Sequence, residues 1–127
     1  MIVGVGVDLV DIARVERLLA GKGEHAVRRL FTADEARYCE SRPHPVLHFA
    51  ARLAAKEAVF KALAGDPGAR GIGWREIEVV PHGDGRPSIT LHGLARVRAE
   101  ALGVTEAWVT LSHTATTAAA FVVLERR

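Results

Sequence analysis

Four charged side chains stand where charge is hard to place: Asp8, Lys56, Glu57 and Lys61. A fifth candidate is the hydroxyl–imidazole–hydroxyl run Ser112-His113-Thr114. Two carboxylates flanked by ammonium groups suit a divalent Mg²⁺ held beside phosphate oxygens, which outlines a phosphoryl-transfer site. Asp8 lies within the apolar run Ile2 to Val10, where a carboxylate is disfavoured unless something positive meets it. The plainer alternative for Asp8 is a strand-end acid taking backbone or Arg hydrogen bonds. For Glu57 and Lys61 it is an i,i+4 helix pair, worth about 0.2–0.5 kcal/mol. The basic residues tilt this balance. The chain has 14 Arg and only 3 Lys, and two of the lysines are Lys56 and Lys61. Lysine at these two places points to a compact ammonium rather than a planar fork. Ser112-His113-Thr114 reads either as a polar turn or as a phosphate or nucleotide contact.

The elements that must position these groups can be read from pattern. Pro45 to Leu63 contains many Ala and Leu and neither Gly nor Pro after its start, which predicts a helix. It is apolar on nearly every side, so it should be mostly buried. Glu57 and Lys61 fall together between two apolar arcs, and His48, Arg52 and Lys56 share a separate stripe. Ile2 to Val10 predicts a buried strand with close backbone approach at Gly4 and Gly6. Asp11 should cap a helix over 12–19 that ends at Gly21 and Gly23, with Arg14 and Arg17 on its polar flank. A short helix over 26–30 follows. Thr32 and Glu35 then form a capping box for a helix to about Ser41. The glycine-rich loop 65–73 is expected to be mobile or to wrap a ligand. Trp74 to Val80 reads as a strand, paired in a hairpin with Ser88 to Leu91. Leu94 to Leu102 is a helix closed by Gly103. Ala107 to Leu111 and Thr117 to Leu124 are strands. This order predicts one α+β domain over 1–127, with a mainly antiparallel sheet packed with helices.

Composition narrows the function. At 127 residues with 49% apolar and 25% charged, the chain can build a real core and is globular. A net charge of +2 is too weak to argue for nucleic acid, though it allows an acidic protein partner to meet a local basic patch. The single Cys39 excludes an internal disulfide and suits a reducing compartment. Met1 leads directly into a patterned segment, and no apolar run reaches membrane-spanning length. A cytoplasmic location is expected. No zinc pattern or nucleophile elbow is present.

Several stretches together resemble the motifs of the holo-acyl-carrier-protein synthase family, the small bacterial branch of the 4′-phosphopantetheinyl transferases. They are Gly4-Val5-Gly6-Val7-Asp8-Leu9-Val10, Phe31-Thr32-x-x-Glu35 and Arg52-Leu53-Ala54-Ala55-Lys56-Glu57-Ala58. The likeness continues through Lys61-Ala62-Leu63, Gly71-Ile72-Gly73-Trp74, Gly85-Arg86-Pro87 and Ser112-His113, over nearly the whole chain in order. The resemblance implies the 4′-phosphopantetheinyl transferase fold. It implies transfer of the 4′-phosphopantetheine arm of coenzyme A to a serine of apo-acyl carrier protein, with Mg²⁺ and release of adenosine 3′,5′-bisphosphate. It implies Asp8 and Glu57 as metal ligands, Lys61 on the pyrophosphate, and Glu57 assisting removal of the serine proton. It further implies a homotrimer with active sites between subunits. There Arg86, Pro87, Ser112, His113 and Thr114 are candidate contacts to the nucleotide and its 3′-phosphate. Arg14, by family position, and Arg17, by extension, would face the acidic carrier protein.

The chain departs from the family pattern at Leu53, Arg86, His48 and Val7, none of them in the expected metal pair. Two rival readings are a non-catalytic nucleotide or coenzyme A binding module, which would need no acid pair, and an RNA-binding surface. The weak charge and the lack of an aromatic platform argue against the latter.

Overall fold

The apolar run over 45–63 becomes a 19-residue helix, and the other elements pack around it. The structure, a computed structural model, describes residues 1–63 and 71–127, apart from the side chain of Lys22. Strand β1 spans Ile2–Asp11. Helices α1, α2 and α3 span Ile12–Leu30, Ala33–Glu40 and Pro45–Leu63. Strands β2 (Ile77–Pro81) and β3 (Pro87–Leu91) precede α4 (Gly93–Leu102), β4 (Glu106–His113) and β5 (Thr117–Glu125). The strands form an antiparallel sheet of order β1-β5-β4 and a separate β2-β3 hairpin. The fold is therefore α+β and antiparallel throughout, as the sequence predicts.

Helix α3 lies across one face of the three-stranded sheet. Gly6, Asp8 and Val10 of β1 point at it and are buried, as are Ala118, Ala120, Val122 and Leu124 of β5. The approach is close because both sides are small. A Cβ on Gly6 would overlap the Ala58 carbonyl, and one on Gly4 would overlap that of Ala62. Backbone cannot move aside as a flexible side chain can. Gly6→Ala should therefore destabilise by about 3 kcal/mol, measured by urea unfolding. Gly21→Ala, where nothing lies within 4 Å, should be neutral or stabilising.

The opposite face of the sheet is uncovered, so the expectation of a buried β1 holds for one face only. Val5, Val7 and Leu9 are more than half exposed. Register places Val5 beside Val123, Val123 beside Trp108, and Val7 beside Phe121, so the outward rows form one apolar surface. Trp108 and Phe121 are 50% and 44% exposed.

Several local expectations need correction. Trp74–Glu76 is a 3-10 turn, and the strand begins only at Ile77, because the Glu76 amide is already bonded to the Gly73 carbonyl. Asp11 makes no side-chain cap; the first helical amide, Ile12 N, is tied instead to the Thr116 carbonyl. Helix α1 continues through Gly21 and breaks only at Gly23, whose φ of 49° is left-handed, before resuming to Leu30. Ser112 and His113 end strand β4 rather than forming a turn; the turn lies beyond them. The loop predicted over 65–73 falls largely outside the described residues. The capping box forms as read, with Thr32 and Glu35 bonding reciprocally.

Candidate active site

Close packing at Gly4 and Gly6 sets the position of Asp8, the next inward residue of β1. Its carboxyl reaches the last turns of α3, where Glu57 and Lys61 lie. Lys61 Nζ donates to Asp8 Oδ1 at 2.6 Å and to the Val7 carbonyl at 3.2 Å. The helix pair Glu57–Lys61 is thus not the main contact of Lys61; it ties to the strand, which lifts its own pKa through the Asp8 hydrogen bond.

The second oxygen, Asp8 Oδ2, is buried and meets no donor while Glu57 is ionised. Glu57 is its neighbour. Burial pushes the Glu57 carboxyl up to about 7, helped by a hydrogen bond to Asp8 and by the Asp8 charge. Arg14 and Lys61 act in the opposite direction. Two facing acids of this kind cannot both stay charged at low cost. A proton on Glu57 or a cation between the carboxylates resolves the conflict. Two carboxylate ligands, with the remaining positions left for water and phosphate oxygens, match the habit of Mg²⁺. No cluster of three or more potential metal-ligating residues exists among the described residues.

The sign of the pH effect follows. Glu57 keeps its proton in the folded, metal-free protein up to about pH 7, while the unfolded chain loses it near 4.5. The folded state binds more protons across that window, so stability falls as pH rises through it. The melting temperature of metal-free protein should drop between pH 5 and pH 8, and Glu57→Gln should flatten that drop in a calorimetric series.

Lys56 does something else. It is fully buried, and its Nζ donates to Glu35 Oε1 at 2.6 Å, to the Trp74 carbonyl at 3.0 Å and to the Ile77 carbonyl. Glu35 also accepts from Thr32 N and Val79 N. All three ammonium donors are used internally, so Lys56 is not a phosphate ligand. The preference for lysine there has a structural cause: three acceptors around one point suit a tetrahedral ammonium. Sequence reading found Glu35 only as a capping residue. Its alternate role as the buried partner of Lys56 was signalled by two charges in otherwise apolar surroundings, but the spacing of 21 residues hid it.

Two hollows flank the acid pair. One, of about 290 Å³, lies between Phe60, Lys61, Ile72 and Trp74. The other, of about 300 Å³, runs along α1 from Glu57 past Leu53 to Arg14 and Arg29. Arg14 is therefore at the site's edge, whereas Arg17 is exposed on α1 and lines neither hollow.

The nucleotide candidates are elsewhere. Pro87, Ser112 and His113 share a cleft with Tyr38, His48 and Arg52, at the other end of α3. Glu57 is nine residues beyond His48, about 13 Å along the helix. Thr114 sits beside this cleft, its Oγ1 accepting from Thr116 N and Thr117 N. Arg86 is exposed and paired with Asp84 at 2.8 Å. Arg52 belongs to this cleft although sequence pattern does not mark it as a site residue. It is 4% exposed, its guanidinium lies 4.3 Å from the Tyr38 ring centroid, and its buried Nε finds no acceptor among the described residues. A buried cation with a spare donor was visible in the sequence only as a charge in an apolar helix.

An acid pair where an all-alanine stripe of a helix crosses a glycine-bearing strand defines a recognisable class. Residues 4–120 match the 4′-phosphopantetheinyl transferase superfamily, and the chain belongs to it. Its relatives narrow this further. It is 48% identical to the holo-[acyl-carrier-protein] synthase of Alkalilimnicola ehrlichii, over 98% of both chains. The crystal structure of the holo-[acyl-carrier-protein] synthase from Neisseria meningitidis superposes with a TM-score of 0.86 at 29% identity, covering 99% of this chain and 100% of that one. The coenzyme A complex of the Chronobacterium ammoniagenes enzyme gives 0.84 at 29% identity, covering 98% and 97%. The protein is thus an enzyme of the holo-[acyl-carrier-protein] synthase family, and its fold is that of the family's solved members. Among the described residues, no helix is long and apolar enough to cross a membrane.

Proposed function

We propose that this protein moves 4′-phosphopantetheine from coenzyme A to a serine of an apo-acyl carrier protein, with Mg²⁺ held by Asp8 and Glu57. The observation that carries this is the buried Asp8 Oδ2, which has no donor among the described residues while Glu57 is ionised, facing a Glu57 carboxyl pushed up to about 7. A binding module without catalysis has no use for so costly a pair.

The serine Oγ forms a bond to the β-phosphorus of coenzyme A. The bridging P–O bond breaks, and adenosine 3′,5′-bisphosphate leaves carrying the bridging oxygen. Bound Mg²⁺ would supply charge neutralisation for the diphosphate. Lys61, half exposed and already aimed at Asp8, places an ammonium next to the same phosphates. Glu57, beside the attacking serine, would assist removal of the serine proton through a water held at the site. Arg14 stands at the entrance, and with Arg17 gives α1 a basic face for an acidic carrier, whose association should weaken with salt.

Within one chain the acid pair and the Ser112–His113 cleft line no common space. Ser112 stands beside Ala119, which is beside Leu9, at the margin of the uncovered apolar sheet face. Both facts favour a site shared between copies, in line with the homotrimer that the resemblance implies, in which one subunit gives Asp8, Glu57 and Lys61, and its neighbour gives Pro87, Ser112, His113 and Thr114. Phe121→Asp, on the open face, should convert the assembly to monomers by light scattering. Transfer should fall by at least about a hundredfold while the circular dichroism spectrum is retained. The location expected for this reaction is the cytoplasm.

The direct test is a mass measurement. Apo-acyl carrier protein incubated with coenzyme A, Mg²⁺ and this protein should gain one phosphopantetheine; an unchanged mass at enzyme-to-substrate stoichiometry rejects the reading.

A further inference from the structure

The cleft at the N-terminal end of α3 gathers positive charge from several elements. Arg52 and His48 line it from α3 and His113 from β4, while Arg42 and His44 of the α2–α3 connection lie near enough to act on His48 from outside the cleft. Tyr38 of α2 floors it, with Arg52 4.3 Å and Arg42 5.9 Å from its ring centroid and His48 edge-on at 6.0 Å. Among the described residues no acidic side chain lines it, and Pro81, Gly85 and Pro87 close it from the hairpin side without adding charge. Buried Arg52 Nε has no acceptor among the described residues.

We propose that this cleft is a proton-linked anion site, in which His48 makes the hold on a phosphomonoester dianion tighten as pH falls toward 6.5. This rests on the reading that the nucleotide end of the donor lies here, and it names His48 as a specificity-determining residue for the nucleotide's 3′-phosphate. An imidazole among guanidiniums resists protonation. Burial and the charges of Arg52, Arg42, His113 and His44 all hold His48 below its usual value. An entering dianion reverses that balance, so the second proton-bearing ring nitrogen becomes a charge-assisted donor only when the phosphate is present. Binding of the phosphate therefore takes up a proton, and by linkage the affinity depends on pH.

The test compares adenosine 3′,5′-bisphosphate with adenosine 5′-monophosphate by calorimetry on the assembled protein at pH 6.5 and pH 8.0. The ratio of their dissociation constants isolates the 3′-phosphate and cancels titration at the shared 5′ end. In the wild type the ratio should be about tenfold larger at pH 6.5, the size of one charge-assisted hydrogen bond. His48→Gln should show little of that rise, and His48→Lys should keep a large ratio at both pH values. A wild-type ratio that is flat with pH, or a rise equally large in His48→Gln, overturns the proton linkage and leaves the nucleotide reading standing. A 3′-phosphate that adds no affinity at either pH overturns both.

Discussion

Asp8→Asn should lower the rate of phosphopantetheine transfer by about a thousandfold and leave the fold intact. Removing one preorganised electrostatic partner from a site where charge builds commonly costs 10²–10³-fold, and here the lost group would also be a cation ligand. Stability should hold or improve. With Glu57 ionised, Asp8 Oδ2 is buried without a donor among the described residues, and its charge raises the Glu57 carboxyl, so an amide relieves a repulsion that the folded chain otherwise carries. The measurement is single-turnover transfer by mass spectrometry, with thermal unfolding alongside. Mg²⁺ supplies a second readout independent of activity. At pH 8 it should raise the melting temperature of the wild type and not that of Asp8→Asn or Glu57→Gln. At pH 5, with Glu57 protonated, the wild-type shift should shrink. Transfer undiminished in either variant would remove the acid pair from the mechanism.

Lys56→Met should be the most destabilising single change in the interior, by about 3–5 kcal/mol. The Glu35–Lys56 pair is fully buried, and removing one member leaves the other charge without a partner. Glu35 would retain only Thr32 N and Val79 N, and the Trp74 and Ile77 carbonyls would lose the ammonium, Trp74 keeping only the Ile77 N–H. Replacing both members by Glu35→Gln with Lys56→Met should recover part of the loss, because no bare charge remains. Urea unfolding of the two single variants and the double variant gives the coupling. If Lys56→Met costs less than about 1 kcal/mol, the pair is not the clamp that its geometry suggests. The functional echo should be indirect. Trp74 and Ile77 wall the hollow beside Lys61, so a loosened 74–77 segment should raise KM before it lowers kcat.

The two lysines show what a sequence can and cannot say. Both were singled out by one compositional oddity, and both turned out to be constrained. Yet Lys61 lies in the acid site and Lys56 is spent on the core. They are five positions apart on one helix, about 140° around its axis, so they face different neighbours. Which neighbours was settled only by how α3 sits on β1 and against the 74–77 turn.

Local chemistry was determined by the chain alone. The alanine-rich run over 45–63, the Thr32–Glu35 box, the left-handed close of α4 at Gly103 and the pairing of β2 with β3 are short-range matters, set by propensity, capping and turns. So were the motifs that mark the family, because they are residues in order. Tertiary structure decided whatever needed contact across long separations. It brought Asp8 to Glu57 and Lys61 through the clearance at Gly4 and Gly6, tied Glu35 to Lys56, and placed Arg52 beside His113. It also left one face of the sheet bare, which no hydrophobic pattern could foretell, since an apolar strand residue reads the same whether its own chain covers it or another copy does.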